Sequence, residues 1–232
     1  MFLLQPRFLL PVAAAFGFVG LAIYIAAGNS FAFDSRLMLL FRDATDASVP
    51  IGPPWLREMM RDLTALGSFI GLGTATVIAM LTLRLCGHRA LALGLVGNVL
   101  AAVAASTFLK TAIGRERPDI VEHAALTFTA SFPSGHAFLS AVVLLSIASF
   151  VGIASRRADI ARLCLWVAWI LMIAIGLSRI YLGVHWPSDV LGGWCLGVAW
   201  SSLATFLIGR LAARSEADLA QAAVVHGKSA AG

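Results

Sequence analysis

The sequence predicts an all-α polytopic membrane protein with a bundle of six transmembrane helices. Of its 232 residues, 59% are hydrophobic and only 12% are charged, which is not the composition of a soluble globular domain of this length. A helix needs about 20 mostly apolar residues to cross the hydrocarbon core of a bilayer, and six stretches approach or meet that length. They run from about Phe8 to Ala27, Leu66 to Leu83, Ala90 to Leu109, Ala137 to Ala154, Leu163 to Tyr181, and Val190 to Ile208.

These spans belong to one predicted membrane domain, residues 1–232. No repeat, low-complexity tract or linker separates them, and residues 209–232 are predicted to form a cytoplasmic tail. The first span has an alternative interpretation as a cleaved signal peptide, because small residues at positions 26–28 resemble a processing site. Its apolar run is long and only Arg7 precedes it as a basic residue, which favours a retained span.

The positions of Lys and Arg predict which ends of the spans face the cytoplasm, because short cytoplasmic loops collect basic residues. One side of a six-span arrangement holds nine basic residues, namely Arg7, Arg84, Arg89, Arg156, Arg157, Arg162, Arg210, Arg214 and Lys228. It holds only three acidic residues, Asp159, Glu216 and Asp218, whereas the other side holds eight basic and nine acidic residues. We therefore expect a cell (inner) membrane protein with both termini in the cytoplasm. The formal charge of +5 reflects this topology and does not indicate nucleic-acid binding.

A segment between the first two spans, Pro54 to Leu63, repeats apolar residues at helical spacing and carries its charged residues on the opposite face. This pattern predicts an amphipathic helix. Such a helix either lies on the outer leaflet beside a lipid opening or packs against the bundle as a cover.

The first of three polar clusters leaves the third span as Lys110-Thr-Ala-Ile-Gly-Arg-Glu-Arg-Pro118. If the helix continued through this segment, Lys110 and Arg117 would share one face about 10 Å apart along the axis and could both bind one phosphoryl group. Arg115 would then point away from that face and lie outside the site. The alternative is an interfacial anchor whose long side chains reach the lipid headgroups.

The second cluster, Ser131-Phe-Pro-Ser-Gly-His136, enters the fourth span. Ser134 is a candidate helix cap, and Gly135 allows backbone to approach a ligand closely. Free N–H groups and the positive dipole end at a helix start bind phosphate, and His136 would stand beside that anion. A capped helix start without a ligand is the alternative.

The third cluster joins the fifth and sixth spans as Ser178-Arg179, five further residues, and His185-Trp-Pro-Ser-Asp189. A carboxylate on one imidazole nitrogen fixes the tautomer and leaves the lone pair of the other nitrogen for an electrophile, and the spacing suits such a pair between His185 and Asp189. Arg179 is costly in an apolar helix unless it meets an anion. The alternative is that Asp189 complements the helix dipole and Arg179 anchors at the interface.

Read together, these three clusters resemble the three-part signature of the type-2 phosphatidic acid phosphatase superfamily, with all parts in order and spacing. The resemblance covers about residues 62–205 and implies a catalytic core at the outer leaflet that carries a phosphohistidine intermediate. By this resemblance, His185 is the nucleophile, Asp189 orients it, and His136 protonates the leaving oxygen. The implied phosphate cradle consists of Lys110, Arg117, Ser134, Gly135 and Arg179.

Phosphoryl transfer asks mainly for positioning and charge stabilisation, which three fixed cations and backbone donors can supply without Mg²⁺. We therefore expect no metal and no other cofactor. The expected partners are membrane lipids and a lipid phosphate or diphosphate substrate, whereas the oligomeric state stays undefined.

The leading hypothesis is a lipid phosphatase acting on undecaprenyl diphosphate, phosphatidylglycerol phosphate, phosphatidic acid or a lipid A phosphate. A phosphotransferase that passes the group to a second lipid would use the same intermediate. A non-catalytic lipid-phosphate binder or transporter is a weaker alternative, because binding needs neither a nucleophile nor an acid. Soluble vanadate-dependent haloperoxidases share the signature, and six spans argue against that branch.

Overall fold

A computed structural model describes residues 6–121 and 129–229, and it describes the side chains of residues 9–121 and 129–214. These residues form eight α-helices and no β-strand, so the all-α prediction is confirmed for this part of the chain. The helices are α1 (Pro6–Ala26), α2 (Ala32–Leu39), α3 (Pro54–Leu66), α4 (Phe69–Leu85), α5 (Arg89–Ile113), α6 (Gly135–Ser155), α7 (Ala158–Tyr181) and α8 (Pro187–Ser229).

Five of these helices, α1, α5, α6, α7 and α8, are each long and apolar enough to cross a membrane. The predicted second span corresponds to α4, which has only 17 residues. It reaches spanning length only when it is joined to α3, from which it is bent by 49°. The break follows from Ser68, whose hydroxyl accepts a hydrogen bond from the Gly71 N–H at 3.1 Å and so starts a new helix. The count of six spans therefore agrees with the structure when this bent pair is one span.

The last helix runs further than the span predicted to end near Ile208. Its apolar, membrane-length part extends to Arg214, and helical backbone continues through the predicted tail to Ser229. The sequence after Gly209 explains this, because it is rich in Ala and has no glycine or proline before Gly227.

Helix α6 lies at the centre of the bundle and makes its most extensive contacts with α7 and α8. Glycines let α8 approach it closely. A Cβ atom at Gly193 would lie 2.9 Å from the Ser134 carbonyl oxygen, and one at Gly197 would overlap the Cβ of Ala141. This close seam holds the first turns of α6 and α8 side by side, so the second and third polar clusters become neighbours.

A buried polar network joins α5 to the same centre. Asn98 donates to the Ser146 hydroxyl at 3.0 Å, and the Trp200 indole N–H donates to the Asn98 side-chain oxygen at 2.8 Å. Because polar groups buried among apolar helices must be paired, this network fixes how α5 stands against α6 and α8.

The first helix packs along α8, and the ring of Phe18 stacks on that of Phe132 with centroids 5.9 Å apart. This packing is what a retained span requires, and retention stays a prediction.

The predicted amphipathic helix is α3. Leu56 and Met60 pack against Tyr181 and Leu182 at the end of α7, while the side chain of Trp55 is 66% exposed. The helix therefore covers the end of α7 with one edge and presents an aromatic ring outward with the other.

Candidate active site

The three polar clusters meet at one end of the bundle around a cavity of about 400 Å³. Its polar wall is formed by Lys110, Arg117, Gly135, His136, Arg179 and His185. The remaining wall includes Gly67, Phe69, Val103, Ser106, Thr107, Thr129 and Leu139. Two further predicted site residues, Ser134 and Asp189, are completely buried behind the polar wall.

Lys110 and Arg117 do not lie on one continuous helix, but both side chains line the cavity. Helix α5 ends at Ile113, because Gly114 adopts a left-handed conformation with φ of 63° that favours glycine. The chain then turns back across the bundle. Lys110 Nζ donates to the Ala130 carbonyl at 2.6 Å, and Arg117 Nη1 donates to the Val184 carbonyl at 2.5 Å. The two cations therefore tie the segments that precede α6 and α8 to the end of α5.

The start of α6 differs in one respect from the expected capped helix. Ser134 has extended backbone at the N-cap position but makes no side-chain capping bond, and its buried Oγ has no hydrogen-bond partner among the described residues. Instead, the Ser134 N–H donates to the Asp189 carbonyl oxygen at 3.0 Å. The first turn of α6 thereby keeps a hydroxyl and helix N–H groups for a ligand.

His185 stands between Asp189 and the cavity, and its side chain is only 2% exposed. Its Nδ1 lies 3.5 Å from Asp189 Oδ2, while its Nε2 lies 3.4 Å from Arg117 Nη1 at the cavity wall. Burial, together with the positive charges of Arg117, Arg179 and Lys110, holds the pKa of His185 well below its ordinary value. The imidazole is therefore neutral near pH 7, the form that can act as a nucleophile.

Ser131, a residue of the second cluster with no predicted role, contacts both His185 and Asp189. Ser131 Oγ donates to Asp189 Oδ2 and lies 3.4 Å from His185 Nδ1. The Trp186 backbone N–H also donates to Asp189 Oδ2, at 2.9 Å. The carboxylate is thus fixed from two sides, and its position beside Nδ1 leaves Nε2 facing the cavity.

Arg179 reaches the opposite wall from the last turn of α7 and is 5% exposed. Its Nη1 donates to the Thr64 hydroxyl at 2.8 Å, whereas its buried Nε has no hydrogen-bond partner in the described part of the chain. A guanidinium with unfilled donors at a cavity wall is suited to an anion. Thr64 belongs to the segment 62–68, which is within the predicted family resemblance, but the sequence assigned it no role.

Arg115 does not line the cavity, but it binds Asp189 on the side that faces away from the cavity. Its Nη1 lies 2.5 Å from Asp189 Oδ1 and 2.7 Å from the Ser188 hydroxyl, and its Nη2 lies 2.8 Å from Asp34 Oδ2. A continuous helix does not predict this contact, which arises because the chain leaves α5 at Gly114. Asp34 was also missed, since it lies in α2 about 150 residues away from α8 in sequence, and no local pattern connects the two.

More than half of the chain matches one protein family. The family model described as the PAP2 superfamily covers residues 91–211. The chain belongs to the PAP2 superfamily.

Relatives and a solved structure agree with this assignment. Phosphatidylglycerophosphatase B from Bacillus subtilis is 35% identical over 162 residues, which cover 66% of this chain and 75% of that protein. An undecaprenyl-diphosphatase from Sulfolobus acidocaldarius is 38% identical over 76 residues, covering 31% of this chain and 30% of that one. The crystal structure of a transmembrane PAP2-type phosphatidylglycerolphosphate phosphatase from Bacillus subtilis superimposes with a TM-score of 0.74 at 28% identity, covering 87% of this chain and 96% of that one.

These matches confirm the predicted family, the helical membrane fold and the enzyme class. The PAP2 protein described here is a multi-pass membrane phosphatase, and its named relatives act on lipid phosphates or diphosphates. In the described residues, no group of three or more His, Cys, Asp or Glu side chains is arranged to hold a metal ion. The prediction of a metal-independent reaction stays a prediction.

The space at Gly135 gives a test of the phosphate cradle. A Cβ atom there would meet Lys110 Cε at 3.6 Å and the Ser106 Oγ at 3.7 Å, which are ordinary contacts. We therefore expect Gly135→Ala to fold normally but to place a methyl group where the phosphate approaches the helix start. Vanadate, an anion that imitates the transferring phosphoryl group, should inhibit this variant about 10- to 100-fold more weakly than the wild type, because small displacements of a bound anion are costly.

Gly73→Ala is the matched control, since no heavy atom lies within 4 Å of a Cβ atom at that helical position. Thermal unfolding in detergent should be similar for both variants. Vanadate inhibition of Gly135→Ala equal to that of the wild type would exclude Gly135 from the cradle.

Proposed function

We propose that this protein is a metal-independent lipid phosphate or diphosphate phosphatase that forms a phosphohistidine on His185 and acts at the outer leaflet. The observation that supports it best is the shared cavity. A neutral imidazole held by a carboxylate, a second histidine and three cationic side chains all border one space large enough for a phosphate group.

In the first step, Nε2 of His185 attacks the phosphorus atom of the substrate. A P–N bond forms as the P–O bond to the lipid breaks, and His136 donates a proton to the departing oxygen. Lys110, Arg117 and Arg179 neutralise the charge on the phosphoryl oxygens, and the N–H groups at the start of α6 add fixed donors. Asp189 stabilises the positive charge that develops on the His185 ring.

In the second step, the lipid product has left and His136 is neutral. It takes a proton from water while the water oxygen attacks the phosphorus atom, so a new P–O bond forms and the P–N bond breaks. Inorganic phosphate is released, His185 regains its lone pair, and His136 is protonated again for the next substrate. The same groups act in both steps, as expected when one acid becomes the base of the reverse half-reaction.

The apolar part of the cavity wall favours a lipid as the substrate. Phe69, Val103 and Leu139 line the cavity on the side of α4, α5 and α6, and the Phe69 side chain is 75% exposed at the outside of the bundle. A headgroup phosphate among the cations would place its apolar chain along this wall and out between α4 and α5 into the bilayer. The candidate headgroups remain those of undecaprenyl diphosphate, phosphatidylglycerol phosphate, phosphatidic acid and lipid A phosphate.

The proposed outer location rests on the charge distribution. The basic residues of the predicted cytoplasmic side, such as Arg84, Arg89 and Arg156, lie at the helix ends opposite the cavity. Basic residues near span ends stay on the cytoplasmic side, so the cavity would face outward.

We expect His185→Ala to abolish turnover while vanadate or lipid phosphate still binds, because the cations provide affinity and the imidazole provides the reaction. Brief exposure of the wild type to a substrate labelled with ³²P should leave label on the protein that survives alkali and is lost in acid, as a phosphoramidate does. His185→Ala should carry no such label.

His88→Ala is the control, since His88 lies at the other end of the bundle, directly before α5. Turnover or acid-labile label in His185→Ala would contradict the proposed intermediate. Label that passes from the donor into a second added lipid rather than into free phosphate would identify the protein as a phosphotransferase.

We also expect activity to persist in an excess of EDTA, because the three cations do the work that a divalent ion does in other phosphoryl-transfer enzymes. Phosphate release from purified protein, measured before and after dialysis against the chelator, checks this. Loss of activity that one added divalent metal restores would contradict it.

Cysteine labelling tests the outer location of the site. On a Cys164→Ser/Cys195→Ser background, Ala47→Cys in the exposed loop after α2 should react with a membrane-impermeant maleimide in intact cells. The exposed native Cys86 at the end of α4 and a cysteine at the exposed position Ala158 should react only after lysis. The reverse pattern would place the site in the cytoplasmic leaflet.

A further inference from the structure

Two buried carboxylates and one arginine form an ionic cluster on the side of His185 that faces away from the cavity. Asp189 is fully buried, the Asp34 side chain is 2% exposed and the Arg115 side chain is 11% exposed. They come from three separate parts of the chain: Asp34 from α2, Arg115 from the segment after α5, and Asp189 from the first turn of α8. Burying three charges is costly unless their geometry is well matched.

Arg115 bridges the two carboxylates. One terminal nitrogen, Nη1, contacts Asp189 Oδ1 at 2.5 Å, and the other, Nη2, contacts Asp34 Oδ2 at 2.8 Å. Its guanidinium carbon also lies 5.7 Å from the centre of the Trp186 ring. Only a planar guanidinium offers two donors in this fixed arrangement, whereas a lysine ammonium is a single point of charge.

Asp34 holds the start of α8 directly. Its Oδ1 accepts the Ser188 backbone N–H at 2.8 Å, and its Oδ2 accepts the Ser188 hydroxyl at 2.6 Å. The first N–H groups of a helix lack partners within the helix, and a carboxylate there also complements the helix dipole. Asp34 therefore fixes the turn from which the next residue, Asp189, reaches His185.

The two oxygens of Asp189 have different partners. Oδ2 faces His185 and accepts from Ser131 and the Trp186 N–H, whereas Oδ1 contacts Arg115. If Arg115 is lost, Oδ1 is buried without a cationic partner, and the carboxylate gains freedom to rotate away from Nδ1. The side chains that line the cavity lie on the other side of the imidazole and do not replace this contact.

We infer that Asp34 and Arg115 are positioning residues for catalysis, which hold Asp189 in the orientation that keeps His185 Nε2 directed at the phosphorus atom. This inference rests on the proposed nucleophilic role of His185. It makes α2, a short helix outside the signature clusters, part of the catalytic apparatus.

The test measures kcat, KM and vanadate inhibition for Asp34→Asn and Arg115→Lys as purified full-length proteins. We expect kcat to fall on the order of 10- to 100-fold, the loss typical when a group that orients an active-site residue is removed. KM and the vanadate inhibition constant should stay within about threefold of the wild type, because the cradle is unchanged. Asp43→Asn and Arg36→Lys, exposed residues of the same outer region, are the matched controls and should leave kcat unchanged.

A double-mutant cycle separates positioning from a general effect on folding. If Asp34 and Arg115 act through Asp189, the same substitutions in an Asp189→Asn background should cost less than about threefold in kcat, because the group they orient is already altered. An equal loss of kcat in both backgrounds, unchanged kcat in the single variants, or vanadate inhibition weakened as much as kcat would each overturn the inference. If Asp34→Asn fails to fold, Arg115→Lys and Ser188→Ala, which removes the hydroxyl shared by both partners, provide the same test.

The control for the underlying mechanism is His185→Ala. Turnover in His185→Ala would refute the proposed function itself. Inactive His185→Ala together with fully active Asp34→Asn and Arg115→Lys would refute only the positioning role.

Discussion

Positive charge at one end of the bundle, which no carboxylate of the described residues contacts directly, is the constraint on which the arrangement of the site depends. Lys110 and Arg117 donate to backbone carbonyls, and Arg179 donates to the Thr64 hydroxyl. Neutral oxygens orient these cations but do not cancel their charge, and keeping charge near the membrane interior is expensive. In the proposed function, a phosphate dianion supplies the balancing negative charge. The proposed affinity for phosphate would then arise from pairing the cations with carbonyls and a hydroxyl instead of carboxylates.

The ring of His185 lies between the Asp189 carboxylate and Arg117. Asp189 is bound from behind by Arg115, which in turn binds Asp34. A carboxylate in direct contact with a cavity cation would form an internal ion pair and compete with the substrate. The fold prevents this because Arg115 binds both carboxylates, so the cavity cations remain available to a ligand. Gly193 and Gly197 let α8 pack closely against α6, which brings the Ser134 N–H within 3.0 Å of the Asp189 carbonyl oxygen. This packing makes it possible for Arg115 to bind the carboxylates while the cavity cations stay separate from them.

The sequence was informative where a property depends on composition or on neighbouring residues. Apolar length predicted the spans, and alternate span ends placed all three polar clusters on one side, so the cationic and histidine side chains around the cavity could be named in advance. It was less informative where the backbone departs from regular structure. Gly114 ends α5 and redirects Arg115, and Ser68 divides the second span. Asp34 could not be found, because its contacts lie about 150 residues away and follow from tertiary packing alone.

The separation between the phosphate site and the apolar cavity wall bears on how the PAP2 protein selects a lipid. In the proposed function, the cations, the helix start and His185 would contact only the phosphoryl group, which all phosphate and diphosphate lipids share. Relatives named for different lipids, a phosphatidylglycerophosphatase and an undecaprenyl-diphosphatase, both resemble this one chain. In the proposed function, discrimination between lipids would then arise where the lipid chain and the remainder of the headgroup lie. In this structure that region is the apolar wall with Phe69 and Val103, together with the end of α3, where Gly67 lines the cavity. Substrate choice would then follow from the fit of the bent α3–α4 pair against α5 and not from the chemistry of the phosphate site.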